Sequence, residues 1–289
     1  MKVCGESLTV REMTRRRLAL STAVLLLAGL GTAGARSTGV NALLSGFSGK
    51  LCAVFALPGQ AGVPSRPGVY RWLTDARQAL NLIVLTPFSA KVGGRIGAYR
   101  MGAWPFERRS PKDPAYENPP GFIEVTPENF GTRVSEHFRL GQFVTKGQDD
   151  VWPKYVVLDR RLIDKLELTI EELSRAGHPV GGLVVMSGFR TPDYNGSGGD
   201  TSGRSAVSRH LYGDAADVFP DGQGRGWIED LNRDGRQDIR DARIVAAAAE
   251  TVEARHPELV GGIGVYPANS SHGPFVHIDA RGHRARWGA

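Results

Sequence analysis

Cysteine is nearly absent. The 289-residue chain carries two, Cys4 and Cys52, too few for the disulfide framework of a small secreted scaffold. Charge of one sign is also lacking. There are 36 basic and 30 acidic residues. Five of the basic and two of the acidic ones fall in the first 35 positions, which leaves 31 against 28. So even a mixture lacks the clustered basic face that nucleic acid requires, and no nucleic-acid partner is expected. Long uncharged runs are missing apart from one at 18–35, which excludes a polytopic membrane protein. With 41% hydrophobic and 23% charged residues, the composition is that of a chain with a real core, not a disordered one.

Arg15-Arg16-Arg17 precedes the uncharged run, which ends in Ala33-Gly34-Ala35. A basic start, an apolar stretch and a small-residue cleavage site are the parts of an export signal over 1–35. The expected location is therefore periplasmic or otherwise extracytoplasmic. The alternative is an uncleaved anchor, and only then would the membrane be a partner. Gly29, Gly31 and Gly34 weaken such a span. Cleavage removes Cys4, so Cys52 is expected to be a lone, buried apolar thiol with no internal disulfide.

Residues 36–68, rich in Gly, Ser, Ala and Pro, read as a linker with one short strand at 51–57. Residues 69–146 alternate in short stretches broken by Pro, Gly and Asn, which predicts a β-rich region. There the cluster Tyr99, Trp104 and Phe106 reads as packing, with glycan contact as the alternative. From 147 to 289 the pattern is mixed. Leu158, Leu162, Leu166, Ile170 and Leu173 share a helical face that ends at Gly177 and Pro179. Strands are expected at 182–187 (buried), 212–219, 261–266 and 275–279, and a helix over 241–256. That order predicts an α+β fold, an antiparallel sheet with flanking helices.

His210 and Asp217 stand seven residues apart with Gly213 between them. A turn at the glycine followed by a strand brings the carboxylate back beside the imidazole. His277 lies at the far end of the same region. Two imidazoles and a carboxylate form a three-ligand set that leaves one position for water, as in catalytic zinc sites. The bland alternative is a hydrogen-bonded core histidine and a surface aspartate.

The order of four segments decides between them. Ser187-Gly188-Phe189-Arg190-Thr191-Pro192, Ser208-Arg209-His210 with Gly213, Ala215 and Asp217, Gly261 to Pro267, and Phe275-Val276-His277-Ile278-Asp279 follow one another. In this the chain resembles the peptidase M15 family, zinc D-Ala-D-Ala carboxypeptidases and murein endopeptidases. The resemblance is to the branch with an F-V-H-x-D strand and a late Arg-Trp, here Arg286-Trp287. It covers about 150–289.

The resemblance implies the fold of those zinc peptidases and a hydrolase of peptidoglycan stem peptides. It implies His210, Asp217 and His277 as zinc ligands and Arg190 as the cation near the scissile carbonyl, where it would steady an oxyanion. The bland alternative for Arg190 is a surface arginine in a Pro turn. The family's base positions hold Pro274 and Phe275 here. That departure leaves the base open between Asp279, which otherwise orients a ligand, and His272. It also keeps a second class of function open, a non-catalytic zinc-containing cell-wall binding module.

A second metal signal lies at Asp230, Asn232, Asp234, Arg236, Asp238 and Asp241, with Gly235 at the sixth place. Oxygen ligands at these loop positions match a calcium loop of the EF-hand kind, with Arg236 giving only its carbonyl. It resembles the dockerin-type version. The alternative is an acidic turn that caps the following helix.

Overall fold

The computed structural model describes residues 52–60, 62–73, 79–199, 201 and 204–288. The expected export signal at 1–35 and most of the linker lie outside them. No helix among the described residues is long and apolar enough to cross a membrane.

The fold is mixed α and β, built from four small sheets and few helices. β1 (Ala53–Ala56), β2 (Gly68–Leu73) and β3 (Ala79–Val84) form the first sheet, in the order β1-β3-β2. β4 (Thr86–Pro87), β7 (Gly121–Val125) and β8 (Lys154–Val156) form a second, and β5 (Arg95–Ile96) with β6 (Tyr99–Arg100) a hairpin. The main sheet has five strands. They are β9 (Val184–Ser187), β10 (Ala215–Phe219), β11 (Gly262–Tyr266), β12 (Phe275–Asp279) and β13 (Ala285–Gly288), in the order β13-β11-β12-β10-β9. Every pairing is antiparallel except β11 with β13. The helices are α1 (Arg160–Arg175), α2 (Pro192–Ser197) and α3 (Ile239–Arg255).

The expected α+β class and the expected strands and helices of the C-terminal half are present, with two changes: the strand expected over 212–219 begins only at Ala215, after a 3₁₀ turn, and the second concerns 182–187. The stretch at 182–187 is not a buried strand. β9 is an edge strand that pairs with β10 alone, and Val184 is exposed. An apolar run cannot tell an edge from a centre, because that depends on which strands arrive beside it.

Period-two alternation separates the two faces of the main sheet. Ala216, Val218, Ile263, Val276 and Ile278 are fully buried and join the core. α3 packs on β11 and β12, and α1 packs on α3. α1 buries Leu162, Ile163, Leu166, Ile170 and Leu173, each worth roughly 1.5–3 kcal/mol of burial. Asp159 caps it by accepting from the Arg161 N–H.

The opposite face carries Ser187, Asp217, Gly264, Tyr266, His277 and Trp287, placed together by register. The helices reach this face through one polar network. The wholly buried Lys165 Nζ donates to Glu253 Oε1 and to the Asp279 carbonyl, both at 2.6 Å. Glu253 also accepts from the Gly261 N–H and pairs with Arg286.

One buried cluster runs from Ala53 to Ile278, so the β-rich stretch shares its core with the main sheet. Tyr99 and Trp104 are buried within it, as the packing reading of the aromatic cluster requires, while Phe106 is half-buried outside it, against Tyr116. The Trp104 Nε1–H donates to the Leu211 carbonyl at 2.9 Å, beside His210. Cys52 is buried, as expected, but it is disulfide-bonded and not a free thiol. Its bond leads outside the described residues.

Candidate metal centre

His210 sits in a short 3₁₀ turn (Arg209–Tyr212) that ends at Gly213 in the left-handed region, φ 70°. A side chain at 213 would also strike the Val157 carbonyl, 2.3 Å from the added Cβ. The glycine turn therefore brings the chain from His210 back into β10, where Asp217 faces His277 directly across the ladder. Ligand atoms of His210, Asp217 and His277 all lie within 4.8 Å of one another, and all three residues are buried. This is the one such group of His, Cys, Asp or Glu among the described residues.

The outer nitrogens fix the tautomers. His210 Nδ1 lies 2.6 Å from the Gly188 carbonyl, an acceptor only, so it carries the proton. His277 Nε2 lies 3.1 Å from Asp279 Oδ2, and with a cation among the inward atoms it is the nitrogen that donates there. The inward atoms are then His210 Nε2 and His277 Nδ1, 3.2 Å apart. Both stand beside the same oxygen, Asp217 Oδ1, at 3.3 and 3.0 Å.

Three lone-pair donors converging in a buried space repel one another unless a positive charge lies among them. A proton on His277 or a cation held by all three relieves this. The chemistry of the donor set fits a metal ion. Carboxylate–histidine and carbonyl–histidine contacts of this kind orient ligand imidazoles.

The electrostatics agree. Burial lowers the His210 pKa, which keeps the ring neutral. Burial would raise Asp217, but His210 and His277 outweigh it and hold the carboxyl well below the usual range. Burial would also lower His277, yet its bonds to Asp217 and Asp279 raise it.

Arg190 adjoins the cluster. Its Nη2 donates to Asp217 Oδ2 at 2.5 Å and its Nε to Ser187 Oγ at 2.9 Å, while its backbone N–H donates to the His210 carbonyl. It is no surface arginine. Asp279 is wholly buried and heavily committed. It accepts from His277, from Arg281 Nε and Nη2, and from the Gly262 N–H at 2.7 Å. His272 stands apart on its loop. Its Nδ1 donates to the Gly273 carbonyl at 2.8 Å, and its ring meets Phe275 edge-on at 4.8 Å.

Arg281, Trp287 and the glycines of β11 support the site, a role the sequence reading did not give them. Arg281 clamps Asp279. The Trp287 ring lies 5.0 Å from the His277 ring and its Nε1–H donates to Tyr266 Oη. Gly262 and Gly264 leave the room that Asp279 and Trp287 occupy. A Cβ at Gly264 would fall 2.3 Å from Trp287 Nε1. The signal was present in the Gly-x-Gly alternation of β11, which marks close approach on one face. Gly264→Ala is therefore expected to cost about 1–3 kcal/mol through overpacking, read from a denaturant midpoint. Unchanged stability would mean that Trp287 gives way freely.

The acidic loop does not form a second metal cluster. Asp241, wholly buried, accepts from the N–H groups of Leu231, Asn232 and Asp238. Asp238 caps α3, and with Asp241 it makes a reciprocal capping box. Asp230 accepts from the N–H groups of Asp234 and Gly235. Asp234 and Asp238 pair with Arg240 at 2.7 and 2.8 Å. The carboxylates are turned to backbone N–H groups and an arginine, as the helix-capping alternative requires, and the same Asx turns also belong to a calcium loop, so Asp230, Asn232, Asp234, Arg236, Asp238 and Asp241 fit both uses. A cavity of about 450 Å³ lies elsewhere, lined by Leu57, Val157, Tyr212 and Asp214 and by none of the three ligands.

A scan of protein-family models and searches of curated proteins and solved structures returned no match to this chain. Fold and site therefore define a class and no family: an α+β protein with a buried two-histidine, one-carboxylate group able to hold a metal ion.

Proposed function

We propose that the chain is an exported zinc peptidase of the M15 kind, hydrolysing peptide bonds in peptidoglycan stem peptides. The observation that carries this reading is the convergence of His210 Nε2, Asp217 Oδ1 and His277 Nδ1, with each ring's other nitrogen already committed. Two imidazoles and one carboxylate are a donor set of catalytic zinc. Zinc held there would polarise a carbonyl and lower the pKa of a water, which amide hydrolysis needs.

The chain's own residues supply the rest. Gly188 and Asp279 hold the ligand rings in orientation. Arg190 keeps a guanidinium beside Asp217, where negative charge develops on the substrate oxygen. Asp279 serves as the orienting partner, because a carboxylate bound by Arg281 and His277 and pushed far below its ordinary pKa is a poor proton acceptor. His272 is left as the candidate base: it stands on its own loop beside Phe275, and its Nδ1 donates to Gly273, which leaves Nε2 able to accept a proton.

The test is a digest of purified peptidoglycan with zinc-loaded protein, with and without chelator, products read by mass spectrometry. Chelator-sensitive loss of a terminal residue or of crosslinked dimers is expected. Unchanged muropeptides from a zinc-loaded sample would replace hydrolysis with a binding role at the cell wall.

A further inference from the structure

His210 differs from the other two ligands in what carries it. Asp217 and His277 stand on β10 and β12, which are neighbours inside the main sheet. His210 stands on a turn of four residues with no side-chain cap. So short a 3₁₀ turn has little stability of its own. Its place relative to the sheet is set by what touches it.

Much of what touches it comes from the β-rich stretch at 69–146. The Arg209 guanidinium lies 4.9 Å from the Tyr116 ring and 4.6 Å from the Tyr212 ring. It forks onto Asp214 and donates from Nη1 to the Ala115 carbonyl at 2.6 Å. Arg209 and Asp214 are both buried, and they bracket the turn. On its other flank the Leu211 carbonyl accepts from Trp104.

The group that orients the His210 ring is held by the same stretch. Gly188, whose carbonyl accepts from His210 Nδ1, lies so close to Phe143 that an added Cβ would fall 2.7 Å from the Phe143 Cα. Phe189 donates its N–H to the Phe143 carbonyl at 3.1 Å, and its own carbonyl accepts from Thr145 Oγ1 at 3.0 Å. Its ring stacks on Trp104, with centroids 6.5 Å apart.

We propose that the β-rich stretch is a working part of the metal centre. Trp104 and Arg209 are its positioning residues, holding His210 where its Nε2 meets a metal ion together with Asp217 and His277. The inference rests on the metal half of the reading above and not on peptide hydrolysis.

The test is titration of the full chain with cobalt(II), which takes the same nitrogen and oxygen donors. The visible spectrum at saturation reports ligand geometry, and a denaturant melt of the same sample reports stability. Trp104→Phe keeps a ring and removes the N–H. Arg209→Lys keeps the charge and loses the fork. Each is expected to bind cobalt about 10- to 100-fold more weakly and to change the saturated spectrum. Leu82→Ala is the control. Leu82 is buried in a separate small cluster of the first sheet, so the variant is expected to lower the denaturant midpoint and leave cobalt binding unchanged. If Trp104→Phe and Arg209→Lys behave as Leu82→Ala does, the positioning role is overturned, and Trp104→Phe decides alone should Arg209→Lys not fold. An unmodified chain that takes up no cobalt overturns the metal reading and this inference with it. Cobalt bound by the unmodified chain and weakened in the variants, with no muropeptide cleaved, removes hydrolysis and leaves the positioning role standing.

Discussion

His210→Ala is expected to remove stoichiometric zinc and to lower hydrolysis of stem peptides at least about 10³-fold. The site has three protein ligands, so losing one leaves an imidazole and a carboxylate that hold zinc far more weakly. The substitution also strands the Gly188 carbonyl, which now accepts from His210 Nδ1. An unsatisfied buried acceptor costs about 1–3 kcal/mol. Lost activity must therefore be separated from lost fold, by metal content and a denaturant melt on the same sample. His256→Ala is the control. That ring is half-buried and lies 3.4 Å from Glu258, far from the cluster in sequence and bonded to none of its three residues. Zinc retained at full occupancy in His210→Ala would show that the cluster is not the metal site. Zinc lost without loss of hydrolysis would show that the metal is structural.

The cluster could be read from sequence because its logic is local. A glycine between His210 and Asp217 tells of a turn, and period two puts Asp217, His277 and Asp279 on definite faces of their strands. What joins the pieces is not local. Which strand lies beside β10 is decided by sheet order, and only that order places His277 opposite Asp217. The roles of Arg281 and Trp287 depend on β13 running parallel to β11, which no periodicity announces. β4 and β8 were not anticipated, since they are two and three residues long and pair with β7, distant along the chain, and the six-residue β3 was missed as well.

The acidic loop shows how one spacing can serve two uses. Spacing alone suggested a metal, but the carboxylates that satisfy calcium also satisfy backbone N–H groups at a helix start. The buried Asp241 and the pairing of Arg240 with Asp234 and Asp238 supply the capping use.

Asp279→Ala is expected to destabilise the protein by about 3–5 kcal/mol, the cost of removing one partner from a buried charge pair. It would leave Arg281, the His277 Nε2–H and the Gly262 N–H without their acceptor. Asp279→Asn keeps the shape and isolates the charge. With the orienting carboxylate gone, zinc affinity is expected to fall about 10- to 100-fold. The pH dependence has a definite sign. Burial would raise the Asp279 carboxyl, but His277 and Arg281 hold it far below its ordinary value of 3.8. Its folded pKa thus lies below its unfolded one, so its stabilisation is present above about pH 4 and is lost as the pH falls further. Urea midpoints between pH 7 and pH 3 should decline steeply in the unmodified protein and more gently in Asp279→Asn. The same variant separates the two roles open to this residue. If Asp279 orients His277, zinc affinity, acid stability and hydrolysis fall together. Hydrolysis lost at full zinc occupancy, with the acid limb unchanged, would instead make Asp279 the proton acceptor and relieve His272 of that part.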